Sequence, residues 1–498
     1  MINTASSQKI NRKIYFLFIY TFFLGIITYG FALTNFTVSI DNEMPIYSNF
    51  GMEVGRWGQN LILYHLFGGH LPYFSIILSL VLFSVAAIQI NNLLKFNGLA
   101  SYLFCGLFIT FPQLSYQIIF GMMAVVAALG VIFSTFFVQV FLNAYKLESL
   151  PKKLAIYLAI ALLLMFSLSN YQAFLFIPIT LYLIVFFQET FSDDFNIISE
   201  FKKALHFAGV IIVGGVLYYF SVKIICPLQQ GGYIESFVAG ENLNFFSNFI
   251  TISKAHLLGN SFYGEKLYII ATLSVILISI NLAFSKKHFV YRVLTLLVLI
   301  ISPFILSYFI TNGYHPPRLY VTLNLVFAFI IVLASSRFKV FTTSITLVFM
   351  GFMFLFNIYF VTKLFTSANK IYKHDVRIAE KIDNIIQTKY PSFSSTEKSI
   401  YFYGYFPYEY HQKYRLENSE IFGGSFYGWD NGNNFRIVNF FKEADIAEYN
   451  MVTKEKYDSV RDSIANMPAW PDSESIKMIN NVVVVKLGKE KGGPMYFE

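Results

Sequence analysis

The sequence predicts a mainly α, polytopic helical membrane protein with a small soluble domain, α/β or α+β, at its C-terminal end. Hydrophobic residues make up 56% of the chain and aromatic ones 19%, against 13% charged, a balance foreign to ordinary soluble domains. Apolar runs of bilayer length recur as far as residue 361. From about Thr366 the composition turns abruptly polar for roughly 130 residues, enough for one small domain.

Each run can be placed in turn. Lys9, Arg12 and Lys13 precede a first apolar run at 14–33, with no small-residue cleavage site near Asn35, so this run reads as an uncleaved anchor. Further runs lie at 72–94, 99–118, 121–143, 204–222, 266–284, 289–310, 319–335 and 340–361. The stretch 154–187 exceeds one span and splits within 167–173, SLSNYQA, into two helices. The total is about eleven transmembrane helices, each of about 17–25 residues; the short pair within 99–143 also reads as re-entrant. With the N-terminus inside, fourteen lysines and arginines of the membrane part fall on the cytoplasmic side and five (Arg56, Lys223, Lys254, Lys266, Arg318) outside. An odd span count then sends the C-terminal part outward, giving an N-in/C-out topology.

The expected domains are a transmembrane domain over 1–364, with outer loops 34–71 and 223–265, and an outer soluble domain over 365–498. Within the latter, 371–388 predicts an amphipathic helix, 399–406 a strand, 454–465 a helix and 482–486 a buried strand. The net charge of +8 lies in the membrane part, because acids and bases nearly balance after 365. It follows topology and leaves no patch for nucleic acid. Cys105 and Cys226 are too few for a disulfide framework or a metal site.

Chemistry concentrates in 39–61, SIDNEMPIYSNFGMEVGRWGQNL. Asp41 and Glu43 sit just beyond the first span, where charge is costly and usually functional. Pro45 disfavours helix before it, so an extended backbone is expected, with both carboxylates on one side. Beyond it, Val54, Trp57, Leu61 and Tyr64 recur at helical spacing while Glu53, Arg56 and Asn60 share another face, as in a helix lying on a membrane surface. A carboxylate here suits a general base, and an arginine a bidentate phosphate ligand.

In the turn Thr311–Arg318, TNGYHPPR, His315 and Arg318 offer a second phosphate site, and Arg318 equally suits an interfacial anchor. His65 and His70 read first as surface or packing histidines. The segment 421–435, IFGGSFYGWDNGNNF, places Tyr427 and Trp429 to stack on a sugar and Asp430, Asn431 and Asn434 to meet hydroxyls; it also reads as a Gly/Asn-rich connecting turn. No Walker motif, Rossmann fingerprint, HExxH, CxxC pair or nucleophile elbow is present.

This layout, with IDNEMPIYS and GRWGQNL in the first outer loop, SLSNYQAF at 167–174 and the arginine of the PPR turn, resembles the Gtr type II family of phage-borne, serotype-converting O-antigen glucosyltransferases. The resemblance implies a GT-C-type enzyme of the bacterial inner membrane, multi-pass, with its active site facing the periplasm. It implies undecaprenyl phosphate glucose as donor and a lipid-linked O-antigen repeat as acceptor, in company with a donor-synthesising glycosyltransferase and a donor flippase. The family pattern carries an acidic base onto Asp41 and Glu43 without choosing between them. The expected roles are therefore Asp41 and Glu43 catalytic; Arg56, Arg318 and His315 on the donor phosphate; and Glu53, Trp57, Asn60, Tyr427, Trp429 and Asp430 on sugar or acceptor. Metal ligands are not assigned, although the chemistry would tolerate a divalent metal. Two other readings stay open on the residues alone, an O-antigen polymerase-like enzyme and a lipid-linked glycan transporter.

Overall fold

The computed structural model describes residues 4–43, 50–69, 71–226, 245–284, 288–310, 315–338, 343–393, 398–406 and 413–490. His70, Pro45 and Tyr314 lie outside them. The chain divides into two units, one of Met1–Leu33 and Tyr47–Thr362, the other of Thr34–Ile46 and Lys363–Glu498. The sequence reading kept 34–71 whole within the membrane domain; instead its first thirteen residues group with the C-terminal part.

Among the described residues, nine helices are long and apolar enough to cross a membrane, or ten if the bent pair Leu99–Thr110 and Pro112–Ile118 is one span. The shorter apolar helix Leu323–Arg337 accounts for the remaining expected segment. In order, the helices are α1 (Thr4–Thr34), the short α2 (Phe50–Glu53) and α3 (Trp57–Asn60), α4 (Phe74–Leu93), α5 (Leu99–Thr110), α6 (Ser115–Ile118), α7 (Met122–Tyr145), α8 (Leu150–Asn170), α9 (Phe176–Glu189), α10 (Ile197–Ile225), α11 (Phe245–Leu257), α12 (Tyr268–Ala283), α13 (Phe289–Ile301), α14 (Leu323–Arg337) and α15 (Thr343–Lys389). The last belongs to the first unit up to Thr362 and to the second from Lys363.

Local chemistry sets the ends of these helices. Pro151 stands in the first turn of α8, where its missing N–H costs nothing. The Asn196 side chain caps α10 by accepting from the Ile198 and Ser199 amides. The long 154–187 run breaks at Tyr171, whose backbone is extended (φ −160°, ψ 123°). Close packing follows small residues: a Cβ on Gly130 would lie 2.4 Å from the Phe174 ring, so α7 meets the α8–α9 corner only because that position is bare. The 41° bend between α5 and α6 falls at Pro112. Beside it Gln113 donates to the Pro317 carbonyl (3.2 Å) and Gln117 to that of Arg318 (2.7 Å), satisfying backbone that a membrane interior would not.

The second unit carries a four-stranded sheet in the order β2-β1-β4-β3, built from β1 (Ser399–Tyr403), β2 (Asn450–Met451), β3 (Ile476–Ile479) and β4 (Val482–Lys486). β1 pairs in parallel with β2 and β4, while β3 and β4 are antiparallel. Asn480 and Asn481, both at positive φ, make the two-residue hairpin turn that asparagine favours. The β4 sequence VVVVK is buried throughout, as a strand covered on both faces should be. One face packs on Tyr457, Val460 and Ile464 of α17 (Lys454–Ile464). Toward α16 (Asn434–Glu443), Phe402 meets Phe441 at 5.4 Å between ring centres. The segment after α1 belongs to this unit through Asn369, which donates to the Phe36 carbonyl (3.0 Å) and the Thr37 hydroxyl (2.8 Å).

Lys486 is buried, and its ammonium donates to the carbonyls of Ile464 (3.0 Å), Ala465 (3.0 Å) and Met467 (2.7 Å) at the C-terminal end of α17. Lys486→Met keeps the length but strands three acceptors, which should cost about 3 kcal/mol. The expected result is a lower thermal midpoint and faster amide exchange at the end of α17; unchanged exchange there would refute the clamp.

Candidate active site

Asp41 and Glu43 close a tight turn instead of the expected extended segment. The Asn42 amide donates to the Ser39 carbonyl (2.9 Å) and the Asn42 side chain to the Ser39 hydroxyl (2.8 Å). Asp41 takes up the left-handed conformation (φ 74°) that aspartate tolerates. The two carboxylates nevertheless converge, because one guanidinium gathers them. Arg436, on the first turn of α16, meets Asp41 Oδ1 through Nη2 (2.9 Å), Asp430 Oδ2 through Nε (2.7 Å), and Glu43 Oε1 through Nη1. Asn433 caps this helix by accepting from the Phe435 amide (3.0 Å), fixing the turn that carries Arg436.

Three carboxylates on one cation leave the cluster with a formal excess of two negative charges. Asp41 is 29% exposed and Glu43 fully buried, with Glu43 Oε2 lacking a hydrogen-bond partner among the described residues. Burial, together with the charge of Asp41, outweighs the shared guanidinium and pushes the Glu43 carboxyl up to about 7. For Arg436, burial alone would favour the neutral form; Glu43, Asp41 and Asp430 overcome it and hold the guanidinium firmly charged.

The loop before α16 corrects part of the sugar-site expectation. Tyr427 is fully buried, its ring 5.0 Å from Phe406, so it is core and offers no face to a sugar. The Asn434 side-chain oxygen accepts from the Phe402 amide (2.9 Å), so this residue is structural. Trp429 is half-buried and Asp430 exposed. Asp430, Asn431 and Gly432 all have positive φ, and a Cβ on Gly432 would lie 2.2 Å from the Gly404 carbonyl oxygen. Glycine is thus required where this loop presses on the end of β1.

In the first unit the expected surface helix is broken. Gly55 has φ +76° and faces Tyr218 and Val222 so closely that a Cβ would sit 3.0 Å from the Tyr218 hydroxyl, so α2 stops and α3 restarts at Trp57. The break ends the common face predicted for Glu53, Arg56 and Asn60. Asn60 is buried, and Trp57 spends its indole N–H on Ser221 (3.0 Å). Glu53 is half-buried and in no ion pair among the described residues. Arg56 lies over the Tyr171 ring, 4.8 Å from its centre, and its Nε donates to Gln172 Oε1 (3.2 Å). Neither Nη has a partner among the described residues.

Arg318 and His315 are held by other neighbours. The Arg318 guanidinium lies 5.2 Å from the centre of the Phe120 ring. His315 is half-buried, and burial, reinforced by His256, lowers its proton affinity. His65 is exposed; Cys105 and Cys226 are buried free thiols. Among the described residues no group of three or more His, Cys, Asp or Glu side chains is placed to hold a metal ion.

Two features escaped sequence reasoning. Arg436 stands in no motif, and only a helix assignment for 434–443 with its Asn433 cap would have drawn attention to it. His256 and Glu265, both fully buried and joined through Nδ1 and Oε1, are two ordinary loop residues in the sequence.

A family model described as Glucosyl transferase GtrII matches residues 30–335. The chain belongs to the GtrII glucosyl transferase family. No curated protein and no solved structure matches it. The matched part of this GtrII member contains Asp41, Glu43 and Arg56, whereas Asp430 and Arg436 lie beyond it.

The Glu43 geometry has a thermodynamic consequence. Its unfolded carboxyl titrates near the model-compound value of 4.5 and its folded one near 7, so between these the folded protein holds a proton that the unfolded chain has released. Stability should therefore fall as pH rises through this window, by up to about 3 kcal/mol. Glu43→Gln, which mimics the protonated form, should flatten that slope in thermal melts from pH 4.5 to 8; an unchanged slope would contradict the assignment.

Proposed function

We propose that this glucosyltransferase transfers glucose from undecaprenyl phosphate glucose to a lipid-linked O-antigen repeat on the periplasmic side of the bacterial inner membrane, with inversion. The observation that carries the reading is the pairing of Asp41 with Glu43 around Arg436, which sets a partly exposed carboxylate beside a buried one. Asp41 is the reachable member and acts as the base, while Glu43 anchors Arg436 from beneath. In the displacement, the acceptor hydroxyl oxygen bonds to the anomeric carbon as the bond from that carbon to the donor phosphate oxygen breaks. The phosphate leaves with the electron pair as the lipid monophosphate, and the hydroxyl proton passes to Asp41.

No acid is needed on the leaving group, since phosphate carries the charge itself. The acidic cluster would repel that phosphate, so a separate cation must hold it, and Arg56, whose two terminal amino groups have no partner among the described residues, suits a bidentate contact. Trp429 and Asp430, at the accessible side of the Arg436 cluster, suit the sugar or the acceptor. N-in/C-out topology and the partner enzymes that make and flip the donor complete the proposal.

Labelled polyprenyl phosphate glucose supplied to the protein in membranes tests this directly. Asp41→Asn should lower kcat by about 10²–10⁴-fold with the protein still inserted, and Glu43→Gln by a smaller factor. Full activity in both variants would remove the base. A limb near pH 7 in the kcat/KM profile that disappears in Glu43→Gln would instead move the proton transfer to Glu43.

A further inference from the structure

The segment 167–174 enters the proposed reaction only as a helix break, yet its side chains converge on the Arg56 turn. Gln172 spends its whole amide there. Its oxygen accepts from Arg56 Nε (3.2 Å), and its nitrogen donates both to the Val54 carbonyl (2.8 Å) and to the Tyr218 hydroxyl (2.9 Å). Tyr218 in turn donates to the Gly55 carbonyl (3.2 Å). Three consecutive residues, Val54, Gly55 and Arg56, are therefore stapled by one glutamine and the tyrosine it holds, while the neighbouring Tyr171 supplies the surface under the guanidinium.

This is more than a turn needs. The backbone of the Gly55 break could be satisfied by Tyr218 and the Gln172 nitrogen alone; the bond from Nε to Oε1 fixes the plane of a side chain that otherwise has many rotamers. It also uses the one donor that cannot take part in an end-on fork, and neither Nη1 nor Nη2 has a partner among the described residues. A guanidinium held in this way forfeits little further entropy when an anion arrives.

We propose that Gln172 is the positioning residue for Arg56, presenting its two terminal amino groups as a preformed fork for the phosphate of a polyprenyl phosphate ligand. The proposal rests on the reading that Arg56 contacts the donor phosphate. Gln172 touches no substrate; it acts through Arg56, and its loss should raise donor KM and lower kcat as well, because the phosphate gains negative charge as the anomeric bond breaks and the arginine contact strengthens in the transition state.

The test is a double-mutant cycle on the full-length protein in lipid nanodiscs. Binding of undecaprenyl monophosphate and donor KM are both measured for Arg56→Ala, Gln172→Ala and the double variant. Gln172→Met, which fills the same space without the hydrogen bonds, guards against loss of folding. Each single variant should weaken binding and raise KM about 10-fold or more, and the double variant should be no worse than Arg56→Ala. If Arg56→Ala changes neither quantity, the phosphate reading falls and the positioning role with it. If Arg56→Ala weakens binding but Gln172→Met does not, only the positioning role is overturned. A Gln172 effect that persists in full on the Arg56→Ala background would likewise overturn it, because Gln172 would then act independently.

Discussion

Helices of bilayer length leave their side chains without water, and every polar group among them has to find its partner inside the protein. That constraint organises the first unit. The bend at Pro112 is tolerable because Gln113 and Gln117 reach the carbonyls of Pro317 and Arg318. Asn324 donates to the Phe108 carbonyl (3.3 Å) and Asn357 to the Thr110 hydroxyl (3.2 Å) for the same reason. Arg56 stands differently: its Nε is held by Gln172, and its terminal amino groups have no partner among the described residues.

The second unit answers a different electrostatic problem. A lone guanidinium shared by Asp41, Glu43 and Asp430 keeps an acidic centre folded without neutralising it. Burial pushes the Glu43 carboxyl toward neutrality against the pull of that guanidinium, while Asp41 stays partly exposed. The same excess negative charge disfavours any phosphate nearby.

Much of the fold was legible because its signals are long or strongly periodic. The apolar runs gave every membrane helix, including the break in SLSNYQA, and the valine run gave β4. Short signals were not legible. β2 has two residues and β3 four, and their pairing is set by partners remote in sequence. The turn at 39–42 and the break at Gly55 both overrode a pattern: a side-chain bond from Asn42 won over the expected extended strand, and a left-handed glycine won over helical spacing. Asp41 and Glu43 could be singled out from their place beside a span, but their common partner could not. Arg436 lies 393 residues beyond Glu43, and only the folded chain brings that separation to contact. Tyr427 failed for the opposite reason, since a glycine-rich neighbourhood suggested exposure where the ring in fact fills the core.

The pair His256 and Glu265 is a buried polar contact closed within one short stretch of chain. Each side chain would be prohibitively costly to carry singly into a dry helical bundle, yet only nine residues separate them. The Ser261 amide already secures the other carboxylate oxygen (2.9 Å), and Gly259 at φ +67° lets the loop double back on itself. Imidazole and carboxylate are thus joined by hydrogen bonds that lie wholly within residues 256–265.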